Sequence, residues 1–118
     1  MQFNLTDATV FLSTTPIDMR KAIDGLVALI VTEAGQSPKS GHVYVFYNRQ
    51  KDKVKCLWWD KNGFILCYKR LERNRFRIPK HLPQEGLRLT ISQLEWLVAG
   101  LDFMLMQEFN ELNYTNYF

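Results

Sequence analysis

Residues 53–71 read KVKCLWWDKNGFILCYKRL, two apolar and cationic runs separated by Asp60-Lys61-Asn62-Gly63. Asn-Gly supplies the positive backbone φ that tight hairpin turns need, so the stretch predicts two antiparallel strands, at residues 53–59 and 64–71. A two-residue Asn62-Gly63 loop would place Lys61 opposite Phe64, whereas a four-residue loop would place Trp59 opposite Phe64. The two registers differ by two residues, so every side chain keeps its face in both.

The two faces of this predicted hairpin differ in polarity. One face carries Lys53, Lys55, Leu57, Trp59, Phe64, Leu66, Tyr68 and Arg70. The other carries Val54, Cys56, Trp58, Ile65, Cys67 and Lys69. The second face is the more apolar, which predicts that it faces the core. Cytosolic cysteines usually stay reduced, so two packed thiols are favoured over a cross-strand disulfide between Cys56 and Cys67.

The sequence before the hairpin predicts a helix between two strands. Residues 8–13 and 42–48 are short runs rich in β-branched and aromatic residues, which is typical of strands. Asp18 is suited to cap the start of a helix. Apolar residues then follow at helical spacing, which predicts a helix over about residues 19–33.

The sequence after the hairpin predicts a tight turn at residues 72–75, a short returning strand at residues 76–78 and a loop at residues 79–86. Thr90 and Gln93 have the spacing of a capping box, so a helix begins there. Apolar spacing predicts a further helix to about residue 112. The whole chain, residues 1–118, is therefore predicted to be a single α+β domain: a small twisted, mostly antiparallel sheet with a helix near the N-terminus and one or two helices at the C-terminus.

The net charge of +3 hides a strong asymmetry along the chain. Residues 39–88 contain thirteen Lys and Arg against four Asp and Glu. The flanking segments, residues 1–38 and 89–118, carry net charges of −2 and −4. Such asymmetry indicates an anionic partner for the middle of the chain.

Several function classes are disfavoured. The N-terminus lacks the basic region of a secretory signal, and the longest apolar run is residues 26–31, so we expect a cytoplasmic protein without membrane contact. Two cysteines are too few for a structural zinc site, and the sequence contains no phosphate-binding loop or dinucleotide fingerprint. Asp52 and Asp60 are interpreted as turn formers rather than metal ligands. No enzymatic activity, cofactor or metal is predicted.

Cations and aromatic residues are interleaved through residues 49–80, which contain eleven Lys and Arg. Cations neutralise phosphates and aromatic rings stack on bases, so the region predicts a DNA-binding surface. The alternatives are a solvated sheet edge protected by charge, or contact with an acidic protein surface. The alternation of Arg73, Arg75 and Arg77 would place three guanidinium groups on one side of an extended strand. The predicted contacts are Arg49, Lys53, Lys55, Lys69, Arg70, Arg73, Arg75 and Arg77, with Trp59 and Tyr68 as stacking groups.

Two further segments have two interpretations each. Arg20 lies in the first turn of the predicted helix, where it would pair with Asp24 four residues later or contact a phosphate. The acidic and apolar segment at residues 101–118 either packs on its own domain as a closing helix or docks on a partner protein.

Five motifs resemble one family. They are DMRKxxDGL at residues 18–26, SGHVYVF at 40–46, NR at 48–49, KxLWWDxNGF at 55–64 and YKRLERxRF at 68–76. In this order they resemble the TnpB accessory proteins of the insertion-sequence-sixty-six type of bacterial transposable element, which are distinct from the RNA-guided nuclease of the same name. The resemblance runs from about residue 8 to residue 101.

The resemblance implies a small helper of DNA transposition that acts with a separate transposase and the element ends, and it offers no catalytic residues. We therefore expect a non-enzymatic accessory protein that binds DNA through the basic hairpin. The alternative is an adaptor that binds the transposase or a sibling accessory protein and does not contact DNA.

Overall fold

The computed structural model describes Leu5 and residues 8–106. In chain order, its strands and helices are β1 (Val10–Leu12), α1 (Ile23–Thr32), β2 (Val43–Tyr47), β3 (Lys53–Asp60), β4 (Gly63–Arg70), β5 (Leu87–Leu89) and α2 (Ile91–Val98). Residues 103–106 form one further helical turn. The remainder of the C-terminal helix predicted to reach residue 112 lies outside the described residues.

The five strands form one sheet in the order β4-β3-β2-β1-β5. Strands β1 and β2 are parallel, and the other neighbouring strands are antiparallel. Parallel neighbours need a crossover connection, which here contains α1. The predicted α+β class with a mostly antiparallel sheet is confirmed.

The hairpin has the register in which Trp59 lies opposite Phe64. This is the register that the four-residue loop predicted, but Asp60 also pairs with Gly63, so the loop itself is only Lys61-Asn62. Lys61 has a positive φ of 54°, a conformation that the sequence had suggested for Asn62-Gly63. Cys56 and Cys67 are direct cross-strand partners, and both are free thiols, as predicted.

Both faces of the sheet are covered. The face with Val54, Cys56 and Trp58 packs against α2, as predicted for the core side. The opposite face is also buried in part, because α1 places Leu26 and Ile30 on it. The sheet therefore separates two apolar clusters. The polarity of the hairpin had predicted only one core face, the α2 side.

Helix α1 begins at Ile23, four residues later than predicted. Asp18 does not cap it, since its carboxylate accepts hydrogen bonds from the Arg20 backbone N–H at 2.9 Å and from the Arg20 guanidinium. Lys21 N–H donates to the Asp18 carbonyl at 3.1 Å, so residues 18–21 form a turn of their own. The N-cap residue is Ala22, which makes no side-chain capping bond.

The chain after β4 departs from prediction in two places. Residues 76–78 form a tight turn rather than the predicted strand, because Ile78 N–H donates to the Phe76 carbonyl at 3.1 Å. Phe76 and Ile78 are nevertheless buried in the α2-side cluster. Strand β5, which the sequence did not indicate, pairs with β1 at the edge of the sheet. Helix α2 begins with the predicted capping box, in which Thr90 and Gln93 bond to each other's backbone N–H. Phe103 is fully buried beneath it.

Lys55 is a cation in the interior of the α1-side face. It is 9% exposed, and its Nζ donates to the carbonyl oxygens of Met19 and Lys21, both at 2.7 Å. A buried ammonium needs such partners because desolvation without hydrogen bonds is costly. Lys55 thus fastens the turn before α1 to the central strand β3. None of the helices in the described part of the chain has the length and apolar character required to cross a membrane.

Replacing Lys55 with Met should destabilise the fold. The change leaves the Met19 and Lys21 carbonyls without their donor, which costs about 1–3 kcal/mol. Urea unfolding followed by circular dichroism measures it. Lys53→Met, two residues along the same face of β3, is the matched control and should shift the free energy of unfolding by less than about 0.5 kcal/mol. Equal effects of the two substitutions would contradict the anchoring role.

Replacing Thr90 with Ala should destabilise α2. The Thr90 side chain accepts from the Gln93 N–H at 3.1 Å, and loss of an N-cap of this kind costs about 1 kcal/mol. Ser92→Ala, an exposed change in the same turn, is the control. Thermal unfolding should show a lower midpoint for Thr90→Ala alone, and unchanged midpoints for both variants would refute the capping role.

Candidate nucleic-acid interface

Two turns meet at one end of the sheet. Because β3 and β4 pair as far as Lys53 opposite Arg70, the turn that enters β3 lies beside the segment that leaves β4. The backbone joins them directly: Leu71 N–H donates to the Asp52 carbonyl and Phe76 N–H donates to the Lys51 carbonyl, both at 2.7 Å. The relative position of the two turns is therefore held by main-chain bonds.

Asn48 organises the first turn, at residues 48–53. It is 6% exposed, and its Oδ1 accepts from the N–H groups of Asp52 at 3.1 Å and Lys53 at 3.0 Å. Its Nδ2 donates to Asp52 Oδ1 at 2.6 Å, and this bond is the main reason that the pKa of Asp52 lies below its usual value. The turn presents Arg49 to solvent, and Lys51 takes a positive φ of 60°. Asn48 belongs to the family motif at residues 48–49, but the sequence predicted no role for it. The signal for that role is a turn-forming residue directly after a buried strand.

The second turn, at residues 71–76, carries exposed arginines next to the buried side chain of Phe76. Asn74 adopts the left-handed conformation, with φ of 65°, within the tight turn that the sequence predicted at residues 72–75. Phe76 lies in the core, so Arg75 and Arg77 on either side of it are exposed. Arg73 is exposed as well, but the left-handed residue between it and Arg75 interrupts the extended alternation. The three guanidinium groups therefore do not form one row along a strand.

These turns and the strand ends between them form what we term the basic end. It consists of Arg49, Lys51, Lys53, Arg70, Arg73, Arg75 and Arg77, together with the carboxylates of Asp52 and Glu72. Arg70 pairs with Glu72 at 2.8 Å, and Lys53 lies 3.6 Å from Asp52. The other five cations form no ion pair with a carboxylate in residues 8–106. The basic end therefore has a large uncompensated positive charge.

Two lysines predicted to contact DNA are engaged elsewhere in the chain. Lys55 is the buried anchor described above. Lys69 Nζ donates to the Val98 carbonyl at 2.6 Å, at the C-terminus of α2, where a cation also interacts favourably with the helix dipole. Both side chains hold elements of the fold together, and neither ammonium belongs to the basic end.

The two predicted stacking residues lie far apart. Tyr68 is 51% exposed and lines a shallow cleft of about 420 Å³ together with Arg20, Arg49 and Lys53. Trp59 is six residues along β3 from Lys53, or about 20 Å. Its ring contacts Phe64 edge to face and lies 4.8 Å from Lys39 Nζ. Tyr68 thus borders the basic end, and Trp59 does not.

Arg20 reaches the rim of the same cleft. Its guanidinium pairs with Asp18 at 2.6 Å rather than with the predicted partner Asp24. This pair lowers the pKa of Asp18 to about 2 and leaves the Arg20 side chain 92% exposed. Arg20 therefore borders the basic end but adds no uncompensated charge to it.

Comparison with known proteins agrees with the motifs. A family model described as "IS66 Orf2 like protein" matches residues 8–108. The chain is 34% identical to the uncharacterized protein y4jC of Sinorhizobium fredii over 94 residues, 80% of either chain. It is also 34% identical to the uncharacterized protein y4hO of the same organism over 101 residues, which cover 84% of this chain and 85% of y4hO. No solved structure matches.

The family match confirms the resemblance that the five sequence motifs predicted, and it spans nearly all of the described residues. The chain belongs to the IS66 Orf2-like family.

Proposed function

We propose that this protein is a non-enzymatic accessory factor of DNA transposition that acts in the cytoplasm and binds DNA phosphates at the element ends through its basic end. The observation that carries the proposal is the set of five exposed or half-buried cations without carboxylate partners in the described chain. The family supports the transposition role, and it is not a known enzyme class.

The physical basis is preorganisation. Main-chain bonds and Asn48 hold the two turns in place, so binding costs the chain little further backbone entropy. Cations that neutralise phosphates also release condensed counterions, which favours association. Arginine adds two parallel donors that match a phosphate oxygen pair. We propose Arg49, Lys51, Lys53, Arg70, Arg73, Arg75 and Arg77 as the phosphate contacts, with Tyr68 and Arg20 at their border.

Affinity for duplex DNA should fall steeply as salt rises. The logarithm of the association constant should decrease by about 0.9 per phosphate contact for each unit of log salt. The triple variant Arg73→Glu, Arg75→Glu, Arg77→Glu should abolish binding at moderate salt. Fluorescence anisotropy with an element-end duplex and a random duplex of equal length measures both effects.

The control variant also reverses three cations, so its net charge changes by the same amount, but these cations lie outside the basic end. Lys39→Glu, Lys61→Glu and Arg88→Glu reverse three other exposed cations and should retain most of the affinity. Equal losses in the two triple variants would indicate a response to net charge alone. No binding of either duplex at low salt would refute the DNA proposal.

Tyr68→Ala should weaken binding to single-stranded DNA more than binding to duplex DNA. The exposed Tyr68 ring can stack on an unpaired base, a contact whose loss costs about 1–3 kcal/mol, whereas paired bases are not accessible to it. Trp59→Leu, on the same face of the sheet but distant from the basic end, should leave the ratio of the two affinities unchanged. Anisotropy with matched single-stranded and duplex probes distinguishes these outcomes.

A second candidate function is that of an adaptor for the transposase or a sibling accessory protein. It is favoured by a cavity of about 520 Å³ between β1 and α1, whose lining includes Phe11, Leu29 and Tyr44 together with Glu33 and Glu85. An apolar floor with carboxylates beside it suits a protein segment with apolar and basic residues better than a nucleic acid. Transposase binding without any DNA binding in the titration above would support this function in place of the first.

A further inference from the structure

We propose that the protein forms a twofold symmetric dimer in which the outer edge of β4 pairs antiparallel with the same edge of a second copy. The proposal concerns the sheet edge and does not depend on the DNA proposal. It begins from an asymmetry between the two ends of the sheet. The edge at β5 is only three residues long, whereas the edge at β4 is eight residues long.

The outer edge of β4 has unused backbone groups. Sheet order places β4 last, and no backbone hydrogen bond in the described part of the chain reaches it from outside the sheet. Leu71 N–H bonds inward to Asp52, and bonding direction alternates along a strand. Residues 65, 67 and 69 therefore bond to β3, and residues 64, 66 and 68 direct their N–H and C=O groups outward. A long edge of this kind is a ready template for another strand.

The side chains along this edge lack the usual protection against pairing. Native sheet edges commonly carry lysine, proline or an inward-pointing charge. Residues 63–68, GFILCY, contain none of these. Ile65 is 37% exposed and Tyr68 is half exposed, one on each face of the strand. Pairing would therefore cover apolar surface on both faces of the sheet.

A second copy of the chain fits this edge. With Leu66 on the twofold axis, the outward-directed residues 64, 66 and 68 face residues 68, 66 and 64 of the second copy. Phe64 then lies opposite Tyr68, an aromatic cross-strand pair of the kind that stabilises antiparallel sheets. Ile65 lies opposite Cys67. The strand is thus complementary to itself in one register.

The charges at the end of β4 select the antiparallel orientation. A parallel pairing would place Lys69 and Arg70 beside the same residues of the second copy, and like charges directly opposite are destabilising. The antiparallel pairing places them at opposite ends of the shared ladder. The two basic ends of the dimer then lie far apart and remain accessible.

Sedimentation velocity of the full chain, from micromolar to near-millimolar concentration, tests the dimer. The wild type should change from monomer to dimer as concentration rises. Ile65→Lys should remain monomeric because a charge enters the interface. Leu66→Pro should also remain monomeric, since it removes an outward N–H without breaking a bond to β3. Val31→Lys, the same change at an apolar α1 residue of 52% exposure, should dimerise as the wild type does.

Disulfide trapping tests the register. In the proposed dimer residue 65 and Cys67 of the second copy form a non-hydrogen-bonded pair with Cα atoms about 4.5 Å apart, within disulfide reach. With oxidised glutathione as the oxidant, Ile65→Cys should give a covalent dimer on a non-reducing gel. Adding Cys67→Ser should abolish it. Within one chain, residues 65 and 67 are about 7 Å apart and do not bridge.

Three results would overturn the proposal. The first is a wild-type chain that stays monomeric over the whole concentration range. The second is a dimer that persists in both Ile65→Lys and Leu66→Pro, which would place the interface elsewhere. The third is the absence of a covalent dimer in Ile65→Cys. Circular dichroism of each variant verifies that it is folded.

Discussion

The register of the β3–β4 ladder decides where every charged residue of the hairpin lies. With Trp59 opposite Phe64, the side chains of Val54, Cys56 and Trp58 enter the α2-side cluster, and Leu57 enters the α1-side cluster. A slip of one residue on β4 would move its apolar side chains to the wrong faces. The same register brings the two turns of the basic end together. The core and the candidate interface therefore depend on one set of backbone bonds.

The cations of the hairpin divide into those that build the fold and those that remain for a partner. Lys53 and Lys55 are two residues apart on one face, yet the turn at residues 18–21 covers only Lys55. Lys69 is directed to the end of α2 on the other face. Charge counted along the sequence overstates the cationic surface, because buried carbonyl groups already satisfy these two lysines. The positive charge that remains without a partner is concentrated in the two turns of the basic end.

The sequence predicted local features well. The β3–β4 hairpin, the capping box and the apolar spacing in α1 each depend on residues near one another in the chain, and each is present, although the hairpin turns at Lys61-Asn62 rather than at Asn62-Gly63. Strand β5 was missed because three residues carry little periodicity and its pairing with β1 depends on a distant edge. The onset of α1 was placed early because the Asp18 carboxylate, a good cap by composition, is bound to Arg20 instead. Prediction thus failed where pairing depended on a distant part of the chain and where a side chain had two possible partners.

The arrangement of the candidate interface was also hard to predict, because it depends on contacts between distant parts of the chain. Arg49 and Arg73 could be identified from composition, but their proximity follows from main-chain bonds between Lys51 and Phe76 and between Asp52 and Leu71. No local pattern encodes those bonds. Trp59 and Tyr68 lie on the same face of the sheet, and the sequence predicted both as stacking groups. Tyr68 borders the basic end, whereas Trp59 lies about 20 Å along the strand from it. Distance along a strand, rather than face, separates them.

Five like charges held on or directly beside two fixed turns repel one another, and this repulsion lowers the stability of the folded chain. Asp52 and Glu72 offset only part of it, since each already pairs with one cation. Asn48 and the buried Phe76 hold the turns in place against the repulsion. A polyanion that neutralises the basic end would remove the repulsion while leaving the supporting bonds intact. Binding of such a partner should therefore be coupled to the stability of this end of the sheet more than to that of the Lys61-Asn62 loop at the opposite end.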